Sequence, residues 1–206
     1  MQMRTYLNYY VRPIDTKEEL FMLITDVDET LQRCVDYHGH FCAGQSLGVR
    51  IAKKGLELVA PEDLKDLIVF IENDRCIADA VLMATGTRLG RRNLKYADYG
   101  RMAATFINLK KDIAWRVSLI PGEKEKNDRP DAKEYVLTLP DEELLVWKKV
   151  KVTLKKEDLP GKPLRTVLCA RCGEKVFDGK DATDPATGEG PLCRACMNGA
   201  YYEEAE

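Results

Sequence analysis

The sequence predicts an α+β domain, helices and sheet segregated, followed by a small cysteine-bearing module at the C-terminus. Three observations predict it. Helical periodicity dominates the first third of the chain; short apolar runs follow without regular strand–helix–strand alternation; and two CxxC pairs stand beyond a stretch rich in Pro and Gly. The chain has 206 residues, 45% hydrophobic and 32% charged, a balance suited to one globular domain of ordinary size with a small appendage.

The elements follow in order. Thr16 with Glu19 three residues on fits a capping box, and Leu20, Leu23, Ile24, Val27, Leu31 and Val35 recur at helical spacing, which predicts a helix from 16 to about 36. The glycine-containing segment YHGHFCAGQ interrupts it, and a second helix is expected from Gln45 to Leu58, ending before Pro61. LIVFIE at 67–72 reads as a buried strand, and CIADAVLMAT as a helix ending near Gly86. AATFINL and IAWRVSLI flank the turn KKD as a β-hairpin. EKEKNDRPDAKE reads as a charged loop, 141–149 as a short helix and VKVTL as a strand. LPGKPLR, with two prolines and a glycine, is the expected linker between a domain over 1–159 and a module over 165–200.

Charge and hydropathy narrow the function. The net charge is −2, and residues 165–206 carry five basic against eight acidic residues, so attraction to nucleic acid is not expected. No apolar run approaches the roughly 20 residues of a membrane helix. The first residues, MQMRTYLNYYVRP, lack the apolar core of a secretory signal, and a cytoplasmic location is the expectation.

Seven cysteines, an odd number, argue against a disulfide framework. Cys169-Ala-Arg-Cys172 and Cys193-Arg-Ala-Cys196 are separated by 20 residues. Two residues between cysteines let both sulfurs of a pair turn toward one ion, and two such pairs complete a tetrahedron. The intervening GEKVFDGKDATDPATGEGPL has Val176, Phe177 and Leu192 as its only large apolar residues, so metal binding must supply much of its folding energy. Two disulfides or an iron–sulfur cluster are the rival readings; compartment opposes the first, symmetric pairing and wide spacing the second. The expectation is a zinc-ribbon module around one structural zinc ion held by Cys169, Cys172, Cys193 and Cys196.

Both histidines of the chain lie in His38-Gly39-His40-Phe41-Cys42. On an extended segment alternate side chains share a face, so His38, His40 and Cys42 form a candidate site for a second metal ion or for a nucleophile. Cys42 precedes a helix N-terminus, where the dipole favours thiolate. Cys76 and Asp79, three residues apart at the start of another helix, are candidates to join the same ion. Capping by Asp79 and plain burial of the thiols are the structural alternatives, and Cys34 is assigned to the core. The turn Gly86 to Leu94 is rich in Gly and Arg and suits an anion, or simply solvent.

Four segments taken together resemble the family of the E-type subunit of formylmethanofuran dehydrogenase: HGHFCAG with SLGVRIA, ENDRCIADAV, GTRLGRRNLKYADYGRMAATF, and CARCGE with CRAC. They occur in order across residues 38 to 196. The resemblance implies an α+β domain with a pocket of His38, His40, Cys42, Cys76 and Asp79, with Arg91 and Asn93 as ligand contacts, a zinc finger, and a homodimer. Two positions depart from the family pattern: Ala43 stands where proline is usual, and Gly90-Arg91-Arg92-Asn93 where G-K-G-N is frequent. The family's molybdenum or tungsten enzyme carries its redox chemistry on other polypeptides, so the chain is not expected to be a dehydrogenase by itself. The resemblance makes the subunits of such an enzyme its expected partners.

The leading expectation is an accessory protein that binds a metal ion or small anionic ligand in this pocket. A small enzyme with Cys42 as nucleophile and His40 as general base is the first alternative. A zinc-ribbon interaction module is the second.

Overall fold

The computed structural model describes Glu18 and residues 26–121 and 136–205. The Thr16 capping box and the charged loop at 123–134 lie outside the described residues. The chain divides into two compact units, one ending at Val152 and one beginning at Thr153.

In the first unit, α1 spans Val27–His38, α2 Ala43–Val59 and α3 Cys76–Thr85. Asp26 interrupts the helix expected from residue 16: it is extended, and its side chain accepts the Glu29 N–H. A carboxylate that bonds first-turn backbone starts a new helix there, which hydrophobic periodicity alone does not reveal. Thr30, Leu31 and Cys34 form the buried face of α1.

Five strands form one mixed sheet: β1 Leu67–Ile71, β2 Leu94–Tyr96, β3 Ala103–Asn108, β4 Ile113–Leu119 and β5 Leu145–Val150, in the order β2-β1-β3-β4-β5. Only β1 and β2 run parallel, joined through α3; the other neighbours are antiparallel. β3 and β4 are the expected hairpin, with Phe106 opposite Trp115. Three-residue β2 and lysine-bearing β5 are the edges, with Lys148 and Lys149 exposed.

The strand expected at VKVTL is shifted. A short helix, α4, covers only Asp141–Leu144, and the residues assigned to its second half pair with β4 instead, Val117 opposite Trp147. Packing on a neighbouring strand decides such an ambiguous run, and Val, Trp and Val suit a pleated surface. Ahead of α4, the buried Arg50 guanidinium donates to the carbonyls of Val136, Leu137 and Leu139 and to Asp141 Oδ1, which ties that segment to α2.

The core lies between α2 and the sheet, where Leu47, Ile51 and Leu56 meet Val69, Phe106 and Val117, all buried. Helices α1, α2 and α3 build a second buried cluster from Leu31, Cys34, Val49, Ala80 and Met83. Cys34 is fully buried, as its core assignment requires.

In the second unit, β6 Thr166–Leu168 and β7 Lys175–Phe177 form an antiparallel pair, and α5 covers Arg194–Asn198. No helix among the described residues is long and apolar enough to cross a membrane.

Candidate functional site

Gly39 ends α1 in the left-handed conformation and returns its N–H to Val35. His38 thus stays on the helix while His40 and Cys42 follow on the connection to α2. Their donor atoms nevertheless converge: those of His38, His40 and Cys42 all lie within 4.8 Å of one another, and the imidazole centroids are 4.7 Å apart. From sequence alone an extended segment is needed for this; the structure achieves it with a helix end and a reversal.

α3 brings the second pair. Asp79 Oδ2 lies 2.7 Å from His38 Nδ1, which fixes the ring. Cys76 is held against Cys42 because residue 44 is glycine: a Cβ there would lie 3.2 Å from Cys76 Cβ and 3.8 Å from each of the Cys42 and Cys76 sulfurs. Burial raises the Cys76 thiol pKa, and the neighbouring Cys42 raises it further. α2 and α3 both begin here. Their N-caps, Cys42 and Arg75, accept no first-turn N–H through the side chain. Two positive helix ends therefore face the thiols, which favours an anion or a thiolate.

The turn from β1 into α3 aims Cys76. Asn73 Oδ1 accepts the Arg75 N–H while its Nδ2 donates to Arg101 O. The buried Glu72 carboxylate receives both arms of Arg116, at 2.7 and 2.8 Å, and Arg101 Nε at 2.6 Å. Burial opposes ionisation of Glu72, but the two guanidinium groups outweigh it and hold its pKa below the ordinary carboxylate range. A carboxyl depressed on folding stabilises the fold above its unfolded pKa and loses that contribution as pH falls through the folded value. Glu72→Gln is expected to cost about 1–2 kcal/mol at neutral pH, with the acid end of the stability curve flattened, as thermal unfolding across pH would record.

The glycine- and arginine-rich turn follows α3. Asn93 is buried, its Oδ1 accepting Arg88 N–H and its carbonyl accepting Val69 N–H. Arg91 is exposed on the same turn, which follows the C-terminus of α3, whereas Cys76 and Asp79 stand at the N-terminus. A ten-residue helix separates the two ends by roughly 15 Å. The Asn93 amide organises the entry to β2.

In the C-terminal unit, Cys169 and Cys172 follow β6, and Cys193 and Cys196 stand at the start of α5. All four sulfurs lie within 4.8 Å of one another, and those of Cys172 and Cys193 are 3.9 Å apart. A tetrahedral ion with bonds of about 2.3 Å to sulfur requires edges near 3.8 Å, so this spacing fits one ion. Backbone N–H groups already point at sulfur: Cys193 N to Cys169 Sγ and Cys196 N to Cys193 Sγ. The N–H groups of Cys172 and then Cys193 lower the Cys169 pKa to about 6, while the Cys193 side chain and burial push Cys196 up to about 12. Four clustered thiols cannot all ionise unaided, and a dication removes that penalty. Val176 and Leu192 are buried beside Cys169, but Phe177 is 47% exposed.

Residues 37–157 match the family described as FmdE, Molybdenum formylmethanofuran dehydrogenase operon. The chain belongs to this family. His38, His40, Cys42, Cys76 and Asp79 all fall inside the FmdE match; the four-cysteine cluster falls beyond it. A solved structure of a tungsten formylmethanofuran dehydrogenase FmdE-like protein from Syntrophus aciditrophicus superimposes with a TM-score of 0.59, covering 86% of this chain and 95% of that one. The two are 21% identical, a likeness of fold. A "Probable S-adenosyl-L-methionine-binding protein" of Archaeoglobus fulgidus is 34% identical over 86 residues, which are 39% of this chain and 24% of that protein. The chain thus spans about a quarter of the length of that relative. Three FmdE-domain residues are not evident as functional from the sequence: Gly44, Glu72 and Asn73. Their signal is their place in the matching segments HGHFCAG and ENDRCIADAV, but a glycine that admits a thiol and a carboxylate that anchors a turn become visible only in three dimensions.

Proposed function

We propose that this FmdE-family chain is an accessory protein that binds a metal ion through His38, His40 and Cys42, with Cys76 and Asp79 completing the pocket, and that a structural zinc ion holds its C-terminal ribbon. The convergence of three donor atoms within 4.8 Å carries the reading. The bound ion would supply Lewis acidity or a handle for an anionic ligand. The protein's own contributions are separable: Asp79 fixes the His38 tautomer, Gly44 leaves room for both thiols, and two helix N-termini favour negative charge. The family description makes a molybdenum or tungsten formylmethanofuran dehydrogenase the partner to test, with a homodimer as the assembly. The Archaeoglobus relative makes S-adenosyl-L-methionine the first small molecule to titrate.

Elemental analysis of the purified chain is the test. The wild type is expected to carry one metal equivalent more than Cys42→Ser and His38→Ala, with the ribbon's zinc retained in both variants. A single zinc, all of it lost on Cys169→Ser, would overturn the pocket assignment.

The His38–Asp79 contact favours one second reading, a cysteine-dependent enzyme. A carboxylate on Nδ1 orients an imidazole as general base toward a thiol, which makes His38 a better base for Cys42 than the His40 expected from sequence. Alkylation of Cys42 near neutral pH should then outpace that of Cys34 and slow in Asp79→Asn; equal rates for the two cysteines sink this reading.

A further inference from the structure

Cys42 and Cys76 lie 34 positions apart in sequence, yet both side chains border Gly44. Each sulfur stands 3.8 Å from the position a Gly44 Cβ would take, and that position is 3.2 Å from Cys76 Cβ. Both residues are half-buried, so a small oxidant reaches them, whereas Cys34 is fully buried against the Ala80 carbonyl. Disulfide formation needs Cβ atoms about 4 Å apart, and both thiols gather around Gly44 at the N-termini of α2 and α3.

We propose that Cys42 and Cys76 are a redox-active dithiol that a peroxide closes into a disulfide. Cys42, at the N-cap of the longer helix, attacks first: its thiolate displaces hydroxide from hydrogen peroxide and becomes a sulfenic acid. The Cys76 sulfur then attacks the sulfenic sulfur, the S–S bond forms and water leaves. In sum two thiols and one hydrogen peroxide give one disulfide and two waters; the sulfurs are oxidised and the peroxide is reduced. The closed form withdraws a thiolate donor from the His38–His40–Cys42 cluster, so oxidation would release an ion held there. That release rests on the metal reading above; the disulfide does not.

The test is peroxide treatment of the full chain, followed by alkylation and digestion without reductant. The expected result is a peptide joining Cys42 to Cys76, a loss of two hydrogens from the intact mass, and reversal by dithiothreitol. Cys76→Ser is expected to lose the cross-link and to leave a dimedone-reactive sulfenic acid on Cys42. Gly44→Ala, whose methyl enters the contact, should lose the cross-link while keeping that sulfenic acid. Sulfinic acid on Cys42 without a link, or a link from Cys42 to any other cysteine, overturns the proposal. Metal content measured in parallel separates the two ideas. A cross-link that forms in protein with no pocket metal upholds the dithiol and counts against the metal reading, whereas one that leaves pocket metal in place upholds the dithiol and removes Cys42 from the ligand set.

Discussion

Stripping the metal from the C-terminal unit is expected to unfold it while the five-stranded sheet stays folded. The unit has little else to hold it. β6 and β7 are three residues each, and an isolated two-stranded pair is at best marginal in water. Its buried apolar set among the described residues is Cys169, Val176 and Leu192. Structural zinc contributes roughly 10–16 kcal/mol in comparable small modules, and that binding energy is folding energy. Cys193→Ser should act as the chelator does, because Cys193 offers both a ligand sulfur and the acceptor for Cys196 N–H. Amide spectra recorded with and without chelator would show resonances of residues 166–198 collapsing to unfolded shifts while those of residues 67–119 persist. Dispersed ribbon resonances in metal-free protein would refute this account.

Gly55→Ala should be the most damaging single-methyl change in the first unit. The new Cβ would lie 2.1 Å from Phe106 Cδ2 and 2.2 Å from Cε2, with the ring fully buried between α2 and β3. Either the ring leaves its rotamer or α2 lifts from the sheet. Alanine's better helix propensity returns about 1 kcal/mol, and overpacking of this severity costs about 3 kcal/mol or more. Phe106→Ala alone removes the ring at a cost of about 3–5 kcal/mol. In the double variant the clash has gone, so denaturant unfolding should reveal strong coupling between the two sites. Additive losses would mean that Gly55 and Phe106 do not share this contact.

The parts of the fold that can be read in advance are those where one interaction dominates. LIVFI at β1 and CIADAVLMAT at α3 are apolar enough that burial alone decides them, and AATFIN and IAWRVSL pair across a short turn. What cannot be read depends on partners distant in sequence. LVWKKV becomes a strand because β4 offers it an edge. Asp26 starts α1 through one hydrogen bond. At the site, the ligand-type residues His38, His40, Cys42, Cys76 and Asp79 are visible as chemistry, and the structure brings them together. Asn93 has ligand-type chemistry too, and its Oδ1 accepts the Arg88 N–H, a turn-forming role that no local pattern in the sequence announces.

The two borders of the sheet bear on how copies of this chain can associate. One border offers only a three-residue ladder, and the other carries exposed Lys148 and Lys149. Cationic side chains and brevity both discourage a foreign strand from docking there. Crowded nascent chains are thereby steered away from open-ended fibrillar stacking.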